Sequence, residues 1–196
     1  MADWLGDVPA AMKADEGYAE LVGRWLGTFG PGTEDDLVWW LGGTKAAVRA
    51  ALATVAAVEV SLDGDRTGWV LPDDVEPVAA VEPWAALLPV LDPTVMGWKE
   101  RAWYLGDHGP DLFDRNGNAG TTAWVDGRAV GTWVQDDAGV VTVHLLDDVG
   151  PAAGAALDAE AARLTAWLAG TRVGTVYPSP AMRVARDRAT GGPSAR

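Results

Sequence analysis

The chain has 196 residues, enough for one large domain or two small ones, and no cysteine, which excludes a disulfide framework and thiolate metal sites. Its formal charge of −13 argues against tight non-specific binding to nucleic acid. No apolar run reaches the ~18 residues of a membrane span, and Met1–Asp7 lacks the basic and apolar regions of a signal peptide, so a cytoplasmic protein is expected.

Residues 1–17 read as a lead-in without a clear period. Tyr18 to Phe29 is predicted helical, because Leu21, Val22, Trp25, Leu26 and Phe29 follow the i, i+3, i+4 rule. Gly30-Pro31-Gly32 breaks it. Thr33, three before Asp36, starts a second helix with a capping-box pattern, and Leu37, Val38, Trp40 and Leu41 make it apolar. After Gly42-Gly43, Thr44 caps a third helix with Val48, Ala51, Leu52 and Val55 on one stripe. The pattern then alternates at Val58–Leu62, turns at Asp63-Gly64-Asp65-Arg66, and returns through Gly68–Leu71. Three helices and a hairpin over 18–72 make the layout of a winged helix.

Residues 73–83 are acidic and flanked by prolines, a linker pattern. A β-rich domain is expected over 84–182. It begins with a short strand at Ala85–Leu88 and a helical or irregular aromatic segment from Thr94 to Leu105. A loop follows at Asp114–Gly120, then strands at Thr121–Val125, Ala129–Gln135 and Val140–Leu146 joined by hairpin turns. Ala152–Leu168 is a long Ala-rich helix, Arg172–Tyr177 a last strand, and 183–196 a tail. The fold class is α+β: a winged helix followed by an antiparallel β-meander with one long packing helix.

The stretches Arg24–Thr33, Trp84–Lys99, Asp114–Gly120 and Asp126-Gly127-Arg128 give a family resemblance. From Ala19 to about Met182 the chain resembles the bacterial winged-helix DNA-binding domain family related to YcaQ/AlkZ-type DNA glycosylases. The resemblance covers the C-terminal portion of that family, and Trp4-Leu5-Gly6 looks like the end of a preceding segment. It implies tandem winged helices, of which one is here, followed by a β-rich domain. Glycosylase members carry a short Gln-containing motif in their N-terminal part. The single glutamine here, Gln135, stands in a predicted hairpin turn, so no catalytic residue is assigned.

For DNA, the third helix is the candidate. Lys45 and Arg49 are i, i+4 and lie off the apolar stripe. Thr44 opens the helix, where backbone N–H groups can hold a phosphate, and Arg66 sits at the wing tip. Against this, Glu20–Leu71 holds four basic and seven acidic residues, a local net of −3. The loop Arg115-Asn116-Gly117 offers exposed amides and one cation, either for an anion or merely as a tight connection. His108 and His144 have no metal-ligand spacing, the paired aspartates read as turn and surface charge, and no nucleotide or serine-hydrolase motif is present. No metal or cofactor is expected. The readings are a non-catalytic winged-helix protein binding double-stranded DNA, part of a DNA glycosylase-like protein repairing alkylated or crosslinked DNA, or an acidic module for a protein partner.

Overall fold

The computed structural model describes residues 11–189, so the expectations for residues 1–10 and 190–196 lie outside the described residues. The chain divides into two compact units. One runs to Val78 and takes in Gly97–Lys99; the other comprises Ala79–Met96 and everything from Glu100. Pro72–Trp84 is exposed throughout and carries no helix or strand.

In the first unit, α1 (Ala14–Phe29) begins four residues before the expected Tyr18. Asp15 and Glu16 place acids in its first turn, where the helix dipole favours them. Ala19, Val22, Trp25 and Leu26 form its buried stripe. Leu21, expected in that stripe, points outward and is half exposed, since Val22 and Trp25 already define the inward face.

The second helix, α2 (Glu34–Leu41), starts with a complete capping box. The Asp36 amide donates to Thr33 Oγ1 at 3.1 Å, and Asp36 Oδ2 accepts from the Thr33 amide at 2.9 Å and its hydroxyl at 2.6 Å. The other oxygen, Oδ1, accepts the backbone N–H of Lys99 at 2.8 Å. Asp36 is buried with every one of these contacts made. Beside it, Trp98 donates from Nε1 to the Phe29 carbonyl, and its ring meets Trp25 and Phe29 edge-on.

Gly42, with φ of 61°, ends α2, and α3 (Lys45–Thr54) packs on α1 through Val48, Ala51 and Leu52. The hairpin follows as β1 (Val58–Leu62) and β2 (Arg66–Val70), in register from Val58↔Val70 to Leu62↔Arg66. Gly64 and Asp65 take positive φ at its tip. The hairpin is tied to the α1–α2 turn by paired backbone hydrogen bonds between Gly32 and Trp69. The Trp25 ring fills the space beside Gly32, leaving no room for a Cβ.

The second unit is built on a four-stranded antiparallel sheet of order β3-β4-β5-β6: Ala85–Leu88, Thr122–Val125, Arg128–Gln135 and Val141–Leu145. Between β3 and β4 lie three single-turn helices, α4 (Pro93–Met96), α5 (Ala102–Leu105) and α6 (Gly109–Leu112). Asp126 and Gly127, both at positive φ, make the two-residue connection of β4 to β5, as an Asp-Gly pair should. The register shifts opposite Ala123 and Trp124, leaving Val130 without a partner on β4.

One sheet face is covered by α7 (Gly150–Leu168), whose Leu157, Ala161 and Leu168 join Leu87, Ala123, Val130, Trp133 and Val141. A second helix, α8 (Pro180–Ala189), packs Met182 and Ala185 against Val134. Two expectations fail here. Residues 183–189, expected as tail, belong to α8, because Ala181, Met182 and Ala185 supply a narrow apolar stripe that the sheet buries. Arg172–Tyr177, expected as a strand, forms none. Its place beside the sheet is fixed by the Gln135 side chain, whose Oε1 accepts the Val173 N–H at 2.8 Å and whose Nε2 donates to the carbonyls of Thr171 and Gly139, both at 3.1 Å.

Two stability predictions follow from these contacts. Asp36→Ala strands the Thr33 and Lys99 N–H groups and should lower stability by about 3 kcal/mol in urea unfolding followed by circular dichroism. Gln135→Leu removes three hydrogen bonds from one amide and should cost about 2 kcal/mol; an unchanged midpoint would show that other contacts hold 171–173.

Candidate nucleic-acid interface

The exposed side of α3 is where a groove-reading helix would meet DNA, and its chemistry is set by the end of the preceding turn. Thr44 is the N-cap: its Oγ1 accepts the Ala47 N–H at 3.2 Å, so the hydroxyl is used by the helix itself. Lys45 and Arg49 are both exposed, on one side of the helix as their spacing requires. Neither stands alone. Arg49 clasps Glu34 with Nε to Oε2 at 2.6 Å and Nη2 to Oε1 at 3.1 Å. Lys45 Nζ lies 2.8 Å from Asp35 and 3.5 Å from Glu34, while Lys99 reaches the other Asp35 oxygen at 3.6 Å.

The first turn of α2 is therefore a row of carboxylates laid against the cations of α3. The Arg49 hydrogen bond, then its charge and that of Lys45, hold the Glu34 carboxyl below its usual value of 4.5 despite some desolvation. Hydrogen bonding and charge from Lys45, then Lys99, lower Asp35 from 3.8. The same contacts raise Lys45 and Arg49. Sequence spacing located the two cations but missed their partners, because Glu34 and Arg49 meet only when α2 and α3 pack.

At the hairpin tip the expected wing residue, Arg66, is exposed and folds onto its own turn, donating from Nε to the Asp63 carbonyl at 3.1 Å. The loop Arg115-Asn116-Gly117 is a tight turn held from within. The Asn116 N–H already meets a carboxylate, that of Asp114. Asp114 Oδ1 accepts the N–H groups of Asn116 and Asn118, both at 2.8 Å, and Oδ2 accepts Asn118 Nδ2 at 3.0 Å. Gly117 N–H donates to the Asp114 carbonyl, and the Asn118 contacts hold the Asp114 carboxyl below its usual value. What remains outward is the Arg115 side chain.

The histidines are used structurally. His108 Nε2 lies 2.9 Å from Asp147. His144 Nδ1 accepts from Arg188 Nη1 at 3.0 Å; burial, and then the Arg188 charge, lower its pKa and favour the neutral ring. Among the described residues no group of three or more His, Asp or Glu side chains is placed to hold a metal ion, and no helix is long and apolar enough to cross a membrane.

Three helices followed by a hairpin, then an antiparallel sheet covered by helices, make a mixed α/β protein. A family model described as DNA glycosylase AlkZ-like matches residues 1–167, and the chain belongs to that family. Among solved structures it is similar to the Streptomyces sahachiroi DNA glycosylase AlkZ, with a TM-score of 0.72 and 23% identity over 84% of this chain. That match covers 47% of the other chain, so this one spans about half its length. No curated protein matches.

The depressed Glu34 and Asp35 carboxyls make a pH prediction. A carboxylate lowered by folding contributes stability that is complete above its unfolded value and lost as pH falls through its folded value. Acid titration of stability should therefore show a loss from about pH 4.5 downward that is smaller in Glu34→Gln/Asp35→Asn. Parallel acid profiles for the two proteins would mean that these pairs contribute nothing in solution.

Proposed function

We propose that this chain serves DNA repair of the glycosylase type, on alkylated or crosslinked DNA, and that its part in that work is to hold double-stranded DNA rather than to excise a base. Membership of the AlkZ-like family over residues 1–167 is the observation that carries this reading. The first unit is read as a winged helix. Its element order supports that, as do the Thr44-capped third helix and the anchoring of the hairpin to the α1–α2 turn at Gly32 and Trp69. The only glutamine, Gln135, spends its whole amide on backbone groups, which speaks against a catalytic part for it.

On this reading α3 enters the major groove with Lys45 and Arg49 toward the phosphates, and the Arg66 wing lies along the backbone. The carboxylates of Glu34 and Asp35 compete for the same cations. Phosphate must displace them, so binding by this surface is weak and falls steeply with salt. The same occupancy favours a second reading, an acidic module facing a protein partner, with exposed Trp39 and Trp40 at the end of α2 as its apolar contact.

Fluorescence anisotropy on a short duplex across a salt series separates the two. Lys45→Ala/Arg49→Ala should weaken binding and reduce the slope of log K against log salt by about two. Glu34→Gln/Asp35→Asn should strengthen binding by freeing the cations. Absence of binding by the parent chain even at low salt favours the protein-partner reading. Release of free base from methylated duplex by the purified chain would overturn the non-catalytic assignment.

A further inference from the structure

We infer that α8 and the loop beside its start form a second, sequence-independent surface for the phosphate backbone of duplex nucleic acid, carried by Arg115, Arg183 and Arg188. It rests on the DNA-binding reading above and gives that reading a contact surface in the second unit.

The first support is charge. The whole chain is strongly acidic, yet between Thr171 and Ala189 stand Arg172, Arg183, Arg186 and Arg188 against a single carboxylate, Asp187. The helix also lies beyond residues 1–167, the stretch that the family model matches.

The second is placement. Ala181, Met182 and Ala185 face the sheet, which leaves Arg183, Val184, Asp187 and Arg188 on the exposed arc of α8, two cations with one carboxylate between them. The loop packs on the start of the helix from its buried side. Gly120 packs so closely on Ser179 and Met182 that an added Cβ would lie 2.6 Å from the Ser179 hydroxyl. The Thr121 N–H also points at the Met182 sulfur, at 3.4 Å. The loop is stiffened by Asp114, and Arg115 on it is exposed.

The third is that these cations are not consumed by the fold. The Arg183 side chain makes no hydrogen bond or ion pair among the described residues. It stands in the first turn of α8, where the helix dipole favours an anion, so helix stability gives no reason for a cation there. Arg188 donates to a histidine, and among the described residues it makes no ion pair. The contrast with Lys45 and Arg49 is direct, since both of those are covered by carboxylates. Guanidinium groups suit paired phosphate oxygens, and nothing in the arrangement reaches into a groove, so sequence is not read.

The test uses the full chain, two duplexes of unrelated sequence, and anionic phosphatidylserine vesicles as a competing polyanion. Arg115→Ala/Arg183→Ala/Arg188→Ala should weaken binding to both duplexes alike and lower the salt slope by between two and three. The corresponding triple lysine variant should retain most of the slope. Because Arg188 touches His144, the Arg115→Ala/Arg183→Ala double variant is measured as well and should lower the slope by about two. A parent chain that binds duplex, with variants that match it in affinity and slope, overturns this inference and leaves the DNA reading standing. A parent chain that binds no duplex overturns both. Arginine-dependent binding to vesicles with unchanged binding to duplex overturns it in favour of a membrane surface.

Discussion

The first unit depends on one buried carboxylate. Asp36 closes the capping box of α2 with one oxygen and holds the Lys99 backbone with the other, across 63 residues of sequence. A carboxylate out of water is costly unless its lone pairs are filled, and here donors from Thr33 and Lys99 fill both oxygens. The consequence is structural. With Lys99 pinned, Trp98 is set against Trp25 and Phe29 and donates to the Phe29 carbonyl, so the end of α1, the start of α2 and a distant segment share one aromatic cluster. Trp40 meets the same Phe29 ring at 5.7 Å. Much of the heavy tryptophan use in the first unit is therefore packing, with Trp39 and Trp40 at its exposed edge.

The same short helix start that supplies Asp36 supplies Glu34 and Asp35, and so the capping of α2 and the electrostatics of α3 are one arrangement. Acids favoured by the dipole in the first turn of α2 become counter-ions of the next helix. An acidic protein of a DNA-repair family resolves its charge locally. On α3 cations and carboxylates are interleaved, whereas on α8 the cations stand with one carboxylate among them. Exposed pairs of the first kind add little stability, and their main effect is to decide how readily a cation is given up to a phosphate.

Much of the fold was legible because it rests on local rules. Thr33 with Asp36, Thr44 before the Val48 stripe, and the Asp-Gly turn at 126–127 each satisfy nearby backbone groups, and each stands where the sequence places it. The long helix α7 was legible from its Leu and Ala spacing. What failed was failure of context. Leu21 fits a helical stripe as well as Val22 does, and only packing against α3 decides which faces inward. The α8 stripe is made of Ala and Met among arginines, too weak a pattern to stand out from a tail. The loop at 115–117 was read from its amides and one cation, and the Asn116 amide faces Asp114, one residue outside the candidate set.

By itself, then, the sequence determined α1 to α3 and α7, the caps of α2 and α3, the hairpin turns and the excess of acid, because these follow from contacts between residues a few positions apart. Only the tertiary structure decided which charges meet. Glu34 and Arg49 are 15 residues apart, Asp36 and Lys99 63, Gln135 and Val173 38, and no periodicity encodes such pairs. Their distances are set by how helices and sheet pack, and it is packing that gives Lys45 two counter-ions and Arg183 none among the described residues.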